Sequence, residues 1–165
     1  MLSLIYARAE NYCIGRAGDL PWDLPDEMQY FEDTTRHSTV IMGRRTFEDH
    51  ETVLPERRNL VVSKTRQRFP AGIEVYADFD AALRSARDEN IFVIGGVSLF
   101  DAAFPLADVV HETIVDCLPD GDTFVSAYDF SAWHTRMVLT HPADAHHGCA
   151  FSILVHQRIG PVSPA

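Results

Sequence analysis

Cysteine is scarce and unpatterned in this chain. Cys13, Cys117 and Cys149 are an odd number at wide spacing, which argues against both a disulfide framework and a cysteine-based zinc site. Buried or incidental thiols in a reducing cytoplasm are the expectation. No apolar run is long enough to span a bilayer. The first residues, Leu2-Ser3-Leu4-Ile5-Tyr6-Ala7, read as a strand and lack the basic region and cleavage site of a secretory leader. Positive charge is also in short supply. The formal net charge of -10 disfavours a nucleic-acid or membrane partner, because both surfaces would repel the protein. Internal repeats, low-complexity tracts and linkers are absent. So is the G-x-G-x-x-G fingerprint, and with it any sequence support for a Rossmann dinucleotide fold.

What is present reads as one domain. A chain of 165 residues with 46% apolar and 23% charged residues has an ordinary globular composition. At that length it can bury roughly two thirds of its unfolded surface. Short Val- and Ile-rich runs alternate with helical patterns. Strands are expected at Leu2–Ala7, Thr39–Met42, Leu60–Ser63, Glu74–Tyr76, Ile91–Ile94, Val109–Val115, His134–Leu139 and Ala150–His156. Helices are expected at Pro25–Arg36, Arg44–Asp49, Phe79–Arg87 and Ser98–Phe104. Strands separated by helices imply βαβ crossovers and a largely parallel sheet. No helix lies between the last two strands, so they should form an antiparallel hairpin at one edge. The expected fold is a single α/β domain over residues 1–159. Its eight-stranded, mostly parallel mixed sheet has an antiparallel C-terminal edge strand and four flanking helices. Residues 160–165 read as a frayed tail.

The run Leu20-Pro21-Trp22-Asp23-Leu24-Pro25-Asp26-Glu27 carries the most chemistry. Pro25 suits the first helical position, and the two acids behind it suit the positive end of the helix dipole. Helical spacing places Glu27, Phe31 and Thr35 on one stripe with Met28 beside it. Glu27 is therefore either a solvated first-turn carboxylate or a functional acid on an apolar face. Asp26 points elsewhere and reads as dipole decoration. Two strand ends carry cations, Gly43-Arg44-Arg45-Thr46 and Ser63-Lys64-Thr65-Arg66, where an open α/β sheet places its ligands. They suggest a phosphate site. Gly95-Gly96 allows either a tight turn or close approach of a ligand to the main chain. Ile14-Gly15-Arg16-Ala17-Gly18-Asp19-Leu20 has the composition of a lid. His141, His146 and His147, with Cys149, fit no trusted metal spacing and read as solvated loop residues, so no metal is expected.

The Trp22–Glu27 run, Ile41-Met42-Gly43-Arg44-Arg45-Thr46-Phe47 and Val93-Ile94-Gly95-Gly96 resemble the dihydrofolate reductase family, in its order and spacing, from Leu2 to about Gln157. The resemblance implies reduction of 7,8-dihydrofolate to tetrahydrofolate with NADPH, in support of one-carbon metabolism and thymidylate synthesis. It also implies a cytoplasmic monomer that is a target for antifolates such as trimethoprim. Glu27 would bind the pterin and Thr113 would fix its carboxylate, with Trp22 and Leu20 completing the catalytic set. Ile5, Ala7, Met28, Phe31, Leu54 and Ile94 would line the folate pocket. Arg57 would hold the α-carboxylate of the glutamate tail, with Arg58 beside it exposed. NADPH would lie along Ala7, Ile14, Gly15, Leu20, Gly43, Arg44, Arg45, Thr46, Ser63, Lys64, Gly95, Gly96, Val97, Ser98, Leu99 and Thr123. Arg44, Ser63 and Lys64 would take its 2′-phosphate, and Gly121-Asp122-Thr123 would steady the lid.

The pattern breaks at Glu48-Asp49-His50-Glu51-Thr52, where small, apolar or basic residues are usual. An imidazole at His50, where an aliphatic side chain packs on the aminobenzoyl ring, and acids on either side imply weaker folate binding. Bacterial members usually carry Asp at the Glu27 position. With Met28, that change implies reduced sensitivity to diaminopyrimidine antifolates. Two rival readings remain. One is a reductase on the same scaffold acting on a pyrimidine of the riboflavin pathway. The other is a nucleotide-binding module without turnover.

Overall fold

The computed structural model describes residues 1–65 and 68–162. Arg66, expected beside Lys64, and tail residues 163–165 lie outside the described residues. In chain order the elements are β1 (Leu2–Ala9), β2 (Cys13–Gly15), α1 (Pro25–Thr35), β3 (Thr39–Gly43), α2 (Arg44–His50), β4 (Arg58–Val62) and β5 (Ile73–Tyr76). There follow α3 (Phe79–Ser85), β6 (Ile91–Gly95), α4 (Val97–Ala103), β7 (Val109–Val115), β8 (Thr123–Phe124), β9 (Trp133–His141) and β10 (Phe151–Arg158). The eight-stranded sheet runs β5-β4-β3-β6-β1-β7-β10-β9. Its first six strands are mutually parallel. C-terminal β10 is antiparallel to both of its neighbours and lies one place in from the edge, which β9 occupies. The sequence-based segments differ from these mainly at their ends.

Strand alternation divides the core into two layers. Leu2, Leu4 and Tyr6 of β1 point to one face, where Ala82 of α3 and Leu99, Phe100 and Ala103 of α4 pack on them. Ile5 points to the other face, among Val40, Met42, Phe47, Val61 and Phe92, with Tyr30 and Phe31 of α1 against that layer. The same parity along β7 sends Thr113 toward α1 and Glu112 to the opposite face. Ala7 pairs with Thr113 across β1 and β7, so both sit at the carboxyl ends of adjacent parallel strands. Sequence pattern missed β2 and β8, a two-stranded ribbon too short to show periodicity.

Two expectations about exposure need correction. Arg58 is half-buried and forked between Glu74 and Glu89, both at 2.7 Å, because β4 lies inside the sheet beside β5. His147 is not solvated either, at 4% exposed. Its ring is drawn under the first turn of α1.

The ribbon rests on one close approach. A Cβ at Gly121 would lie 2.1 Å from Cys13 Sγ and 2.6 Å from the Gly15 carbonyl oxygen. Gly121→Ala should cost about 1–3 kcal/mol, lowering the melting temperature by roughly 3–10 °C in thermal unfolding. Removing the thiol as well with Cys13→Ala should not restore it, since the carbonyl clash remains.

Candidate functional site

Helix α1 starts at Pro25 with no side-chain cap from Leu24, and its first turn carries Asp26 and Glu27. Only Glu27 faces inward. It is 8% exposed and accepts a hydrogen bond from the Thr113 hydroxyl at 3.1 Å. Burial pushes its carboxyl above the usual range, and the Thr113 bond limits the rise. Trp22 lines the same cavity of about 310 Å³, together with Leu20, Leu24, Met28 and Glu32. Among the described residues Trp22 Nε1 is the one buried side-chain nitrogen or oxygen without a partner.

A second cavity of about 320 Å³ adjoins the first, and Leu20 and Met28 line both. Ala7, Ile14, Gly15, Gly18, Thr46, Asp49, His50, Ile94, Gly95, Gly96 and Thr123 also line the second cavity. The structure therefore brings the Ile14–Leu20 segment, the Gly95-Gly96 turn and the Asp49-His50 departure to one groove. Both exposed residues, Asp49 and His50, face that groove rather than open water alone, and a Cβ at Gly18 would lie 2.9 Å from Asp49 Oδ1. The Ile14–Leu20 segment, expected to be a lid, is tied down where the Ala17 amide donates to Asp122 Oδ2 at 2.9 Å. Gly15 pairs with Thr123 at its base.

Beyond this groove lies the cationic rim. Register pairs Gly43 with Val62, so Arg44 and Ser63-Lys64 leave adjacent parallel strands side by side. Arg45 and Lys64 are exposed, as is Ser98, whereas Leu99 is buried and Val97 half-buried. Arg44 is paired with Glu48 at 3.1 Å, and the Ser63 hydroxyl turns to Thr65. Gly95 has φ +141°, and a Cβ there would sit 3.0 Å from Thr46 Oγ1. Main chain thus approaches a space that any side chain would fill.

Ile5, Phe31, Leu54 and Ile94 share the apolar layer behind Glu27. Arg57 stands apart from this simple picture. Its side chain is only 1% exposed, and Nη2 holds the Glu32 carboxylate at 2.8 Å. Nε and Nη1 donate to Thr35 Oγ1 and the Pro55 carbonyl. Sequence reasoning missed Glu32. The available signal was an acid one helical turn beyond Met28, in a chain that relies on an arginine to hold an anion.

The family model for dihydrofolate reductase matches residues 1–158. The chain is 40% identical over 161 residues to dihydrofolate reductase type 3 of Salmonella typhimurium, covering 96% of this chain and 99% of that one. It is 36% identical to the dihydrofolate reductase of Haemophilus influenzae, covering 94% and 98%. A solved structure, dihydrofolate reductase from Enterococcus faecalis complexed with NADP(H) and RAB-propyl, superposes with a TM-score of 0.90 at 29% identity, covering 97% of each chain. With the eight-stranded sheet and the buried acid on α1, these matches show that the chain belongs to the dihydrofolate reductase family of enzymes.

Proposed function

We propose that this chain reduces 7,8-dihydrofolate to 5,6,7,8-tetrahydrofolate with NADPH, as a cytoplasmic monomer feeding one-carbon metabolism and thymidylate synthesis. The observation that carries the reading is the buried Glu27–Thr113 pair in a cavity that meets the groove of the Gly95-Gly96 turn. A carboxylate there can hold the 2-amino group and N3 of a pterin ring through charge-assisted hydrogen bonds. Ile5, Ala7, Phe31 and Ile94 form apolar walls for the ring.

The residues present also fit NADPH. The side-chain-free approach at Gly95 and Gly96 accommodates the main body of the cofactor. Arg44, Arg45 and Lys64 gather cations for a 2′-phosphate in an otherwise acidic protein. When bound, NADPH supplies the hydride. The protein's own part is to orient the two ligands, exclude water and deliver a proton to N5 of the pterin. Glu27, biased toward its protonated form, supplies that proton through water that Trp22 Nε1 helps to position. Leu20 on the lid closes over the place where the two cavities meet.

Diaminopyrimidine antifolates would use the same carboxylate. Asp49 and His50 in the groove, and Met28 where the two cavities meet, support weaker binding of folates and of these inhibitors. The test is oxidation of NADPH by the purified protein with dihydrofolate or with a riboflavin-pathway pyrimidine as the acceptor. Turnover with dihydrofolate alone is expected. Turnover only with the pyrimidine, or NADPH binding without turnover, would overturn the reading.

Glu32 enters this scheme as a competitor. Its carboxylate takes one N–H of Arg57 Nη2, beside the one that goes to the Glu32 main-chain carbonyl, and so competes for the edge that would grip the glutamate tail. Glu32→Gln should lower the KM for dihydrofolate by about tenfold, the size of one charge-assisted hydrogen bond. The KM for a pterin lacking the tail should not move. Equal effects on both substrates would show that Glu32 acts on the pterin cavity instead.

A further inference from the structure

A group of side chains outside the folate site converges on one point between the first turn of α1 and the β9–β10 hairpin. His141 Nε2 lies 3.1 Å from Asp26 Oδ2, and His147 Nε2 lies 3.9 Å from Asp26 Oδ1. The three ligand atoms are all within 4.8 Å of one another. The two imidazoles pack with centroids 4.1 Å apart, and His141 stacks on buried Phe151 with the ring planes 1° from parallel. Their orientations are therefore fixed by packing.

The outward nitrogens of the two rings decide what the inward ones can do. His141 Nδ1 lies 2.6 Å from the Pro142 carbonyl, which can only accept, so Nδ1 carries the proton. His147 Nδ1 likewise donates to the Asp144 carboxylate at 2.9 Å. His147 Nε2 accepts the Asp26 amide at 3.2 Å, so that nitrogen presents a lone pair. A bound ion would take the place of two hydrogen bonds at this point, the one between His141 Nε2 and the Asp26 carboxylate and the one that His147 Nε2 accepts from the Asp26 amide. Histidines that hold metals are set up in this way, with the second ring nitrogen fixed by a carbonyl or a carboxylate. The 3.1 Å and 3.9 Å separations run to different oxygens of the Asp26 carboxylate, so for donors about 2.0–2.1 Å from a shared ion the carboxylate must turn or bind through both oxygens and the His147 side must close by about half an ångström.

We propose that Asp26, His141 and His147 form a binding site for a divalent first-row transition ion of the zinc class, with water completing the coordination. Two imidazoles and one carboxylate favour such an ion over magnesium or calcium, which take oxygen ligands. His141 also lines an open groove of about 520 Å³ with Glu10 and Asp116, whose charges suit the approach of a hydrated cation. Binding exchanges the Asp26 amide hydrogen bond for a metal–nitrogen bond. It also staples α1 to the hairpin across a separation of |i−j| = 121 in sequence. The site lies beside Glu27 in sequence but does not open into the folate cavity, so it would stabilise the helix that presents Glu27 and leave the reaction itself to the folate site.

The test uses untagged, metal-stripped full-length protein titrated with Co²⁺ by visible absorption and with Zn²⁺ by calorimetry and thermal unfolding. One equivalent should bind, without thiolate-to-cobalt charge-transfer bands. The melting temperature should rise by about 5–10 °C at a hundredfold excess of zinc over Kd. His141→Ala and Asp26→Asn should each weaken binding at least tenfold. Both keep the ring of His147, whose own replacement would also remove the cap of α1. Binding unchanged in these two variants, charge-transfer bands from Cys117 or Cys149, or no saturable binding below about millimolar zinc would each overturn the proposal. The last result would leave the cluster as an Asp26–His141 ion pair.

Discussion

Glu27→Gln should lower dihydrofolate-dependent turnover at neutral pH by roughly 10²–10⁴-fold, the usual contribution of a positioned acid. Affinity for NADPH should be unchanged, since Glu27 lines the cavity proposed for the pterin and the residues proposed to hold the cofactor surround the adjoining groove. A second readout separates this from general damage. Burial raises the Glu27 carboxyl, so folding favours its protonated form. Stability from that preference is fully present below the unfolded value and is lost as pH rises through the folded one. Above the ordinary glutamate value the wild-type chain therefore gives up stability on ionising, whereas the amide variant does not titrate. Its melting temperature should exceed that of the wild type at pH 7, and the two should converge as pH falls through the ordinary glutamate value. Lower turnover together with lower stability at pH 7 would mean that Glu27 is structural.

Glu112→Ala should be the most damaging single change to the fold, at about 3–5 kcal/mol, because it leaves buried partners without their counter-charge. Glu112 is 4% exposed on the face of β7 opposite Thr113. Tyr6 and Arg8 meet its Oε2 at 3.0 and 3.1 Å, and His156 meets Oε1 at 3.2 Å. Burial works to raise this carboxyl, but the bonds from His156, Arg8 and Tyr6 outweigh it and hold the group below its usual range. Its stabilisation is therefore fully present above the unfolded glutamate value and is lost as pH falls through the lower folded one. Neighbouring His111 adds to the same acid limb. Burial, with Arg136 nearby, pushes its imidazole down to about 4 from 6.5. Stability should thus fall by about 3 kcal/mol between those two pH values, with the loss from Glu112 setting in once pH reaches the ordinary glutamate value. Urea melts from pH 7 to pH 3 check this. A flat profile over that range, or a Glu112→Ala protein as stable as the wild type, would contradict the network.

The sheet was legible because its strands are dense in β-branched residues and its helices carry distinct starts such as Pro25. The ribbon of β2 and β8 was not, because a strand of three residues facing one of two carries no period. At the site, Glu27 could be picked out from its place behind Trp22 and on the stripe with Phe31. What hid in the sequence were partnerships across long separations. Nothing near His147 says that its ring caps a helix starting at Pro25, and a loop rich in histidine looks solvated until the hairpin folds onto α1. Glu32 was hidden for a similar reason, since α1 and the Arg57 loop meet only through tertiary packing. In each case local composition was compatible with exposure, and only packing supplied the partner.

The most direct test of the central claim is the rate of hydride transfer as a function of pH, followed by loss of NADPH absorbance in a single turnover with dihydrofolate. If the buried Glu27 carboxyl supplies the proton, the rate should fall as pH rises through an apparent pKa above the ordinary carboxylate range, and Glu27→Gln should abolish that titration. A rate independent of pH across the same range, or the same titration surviving in the variant, would contradict it.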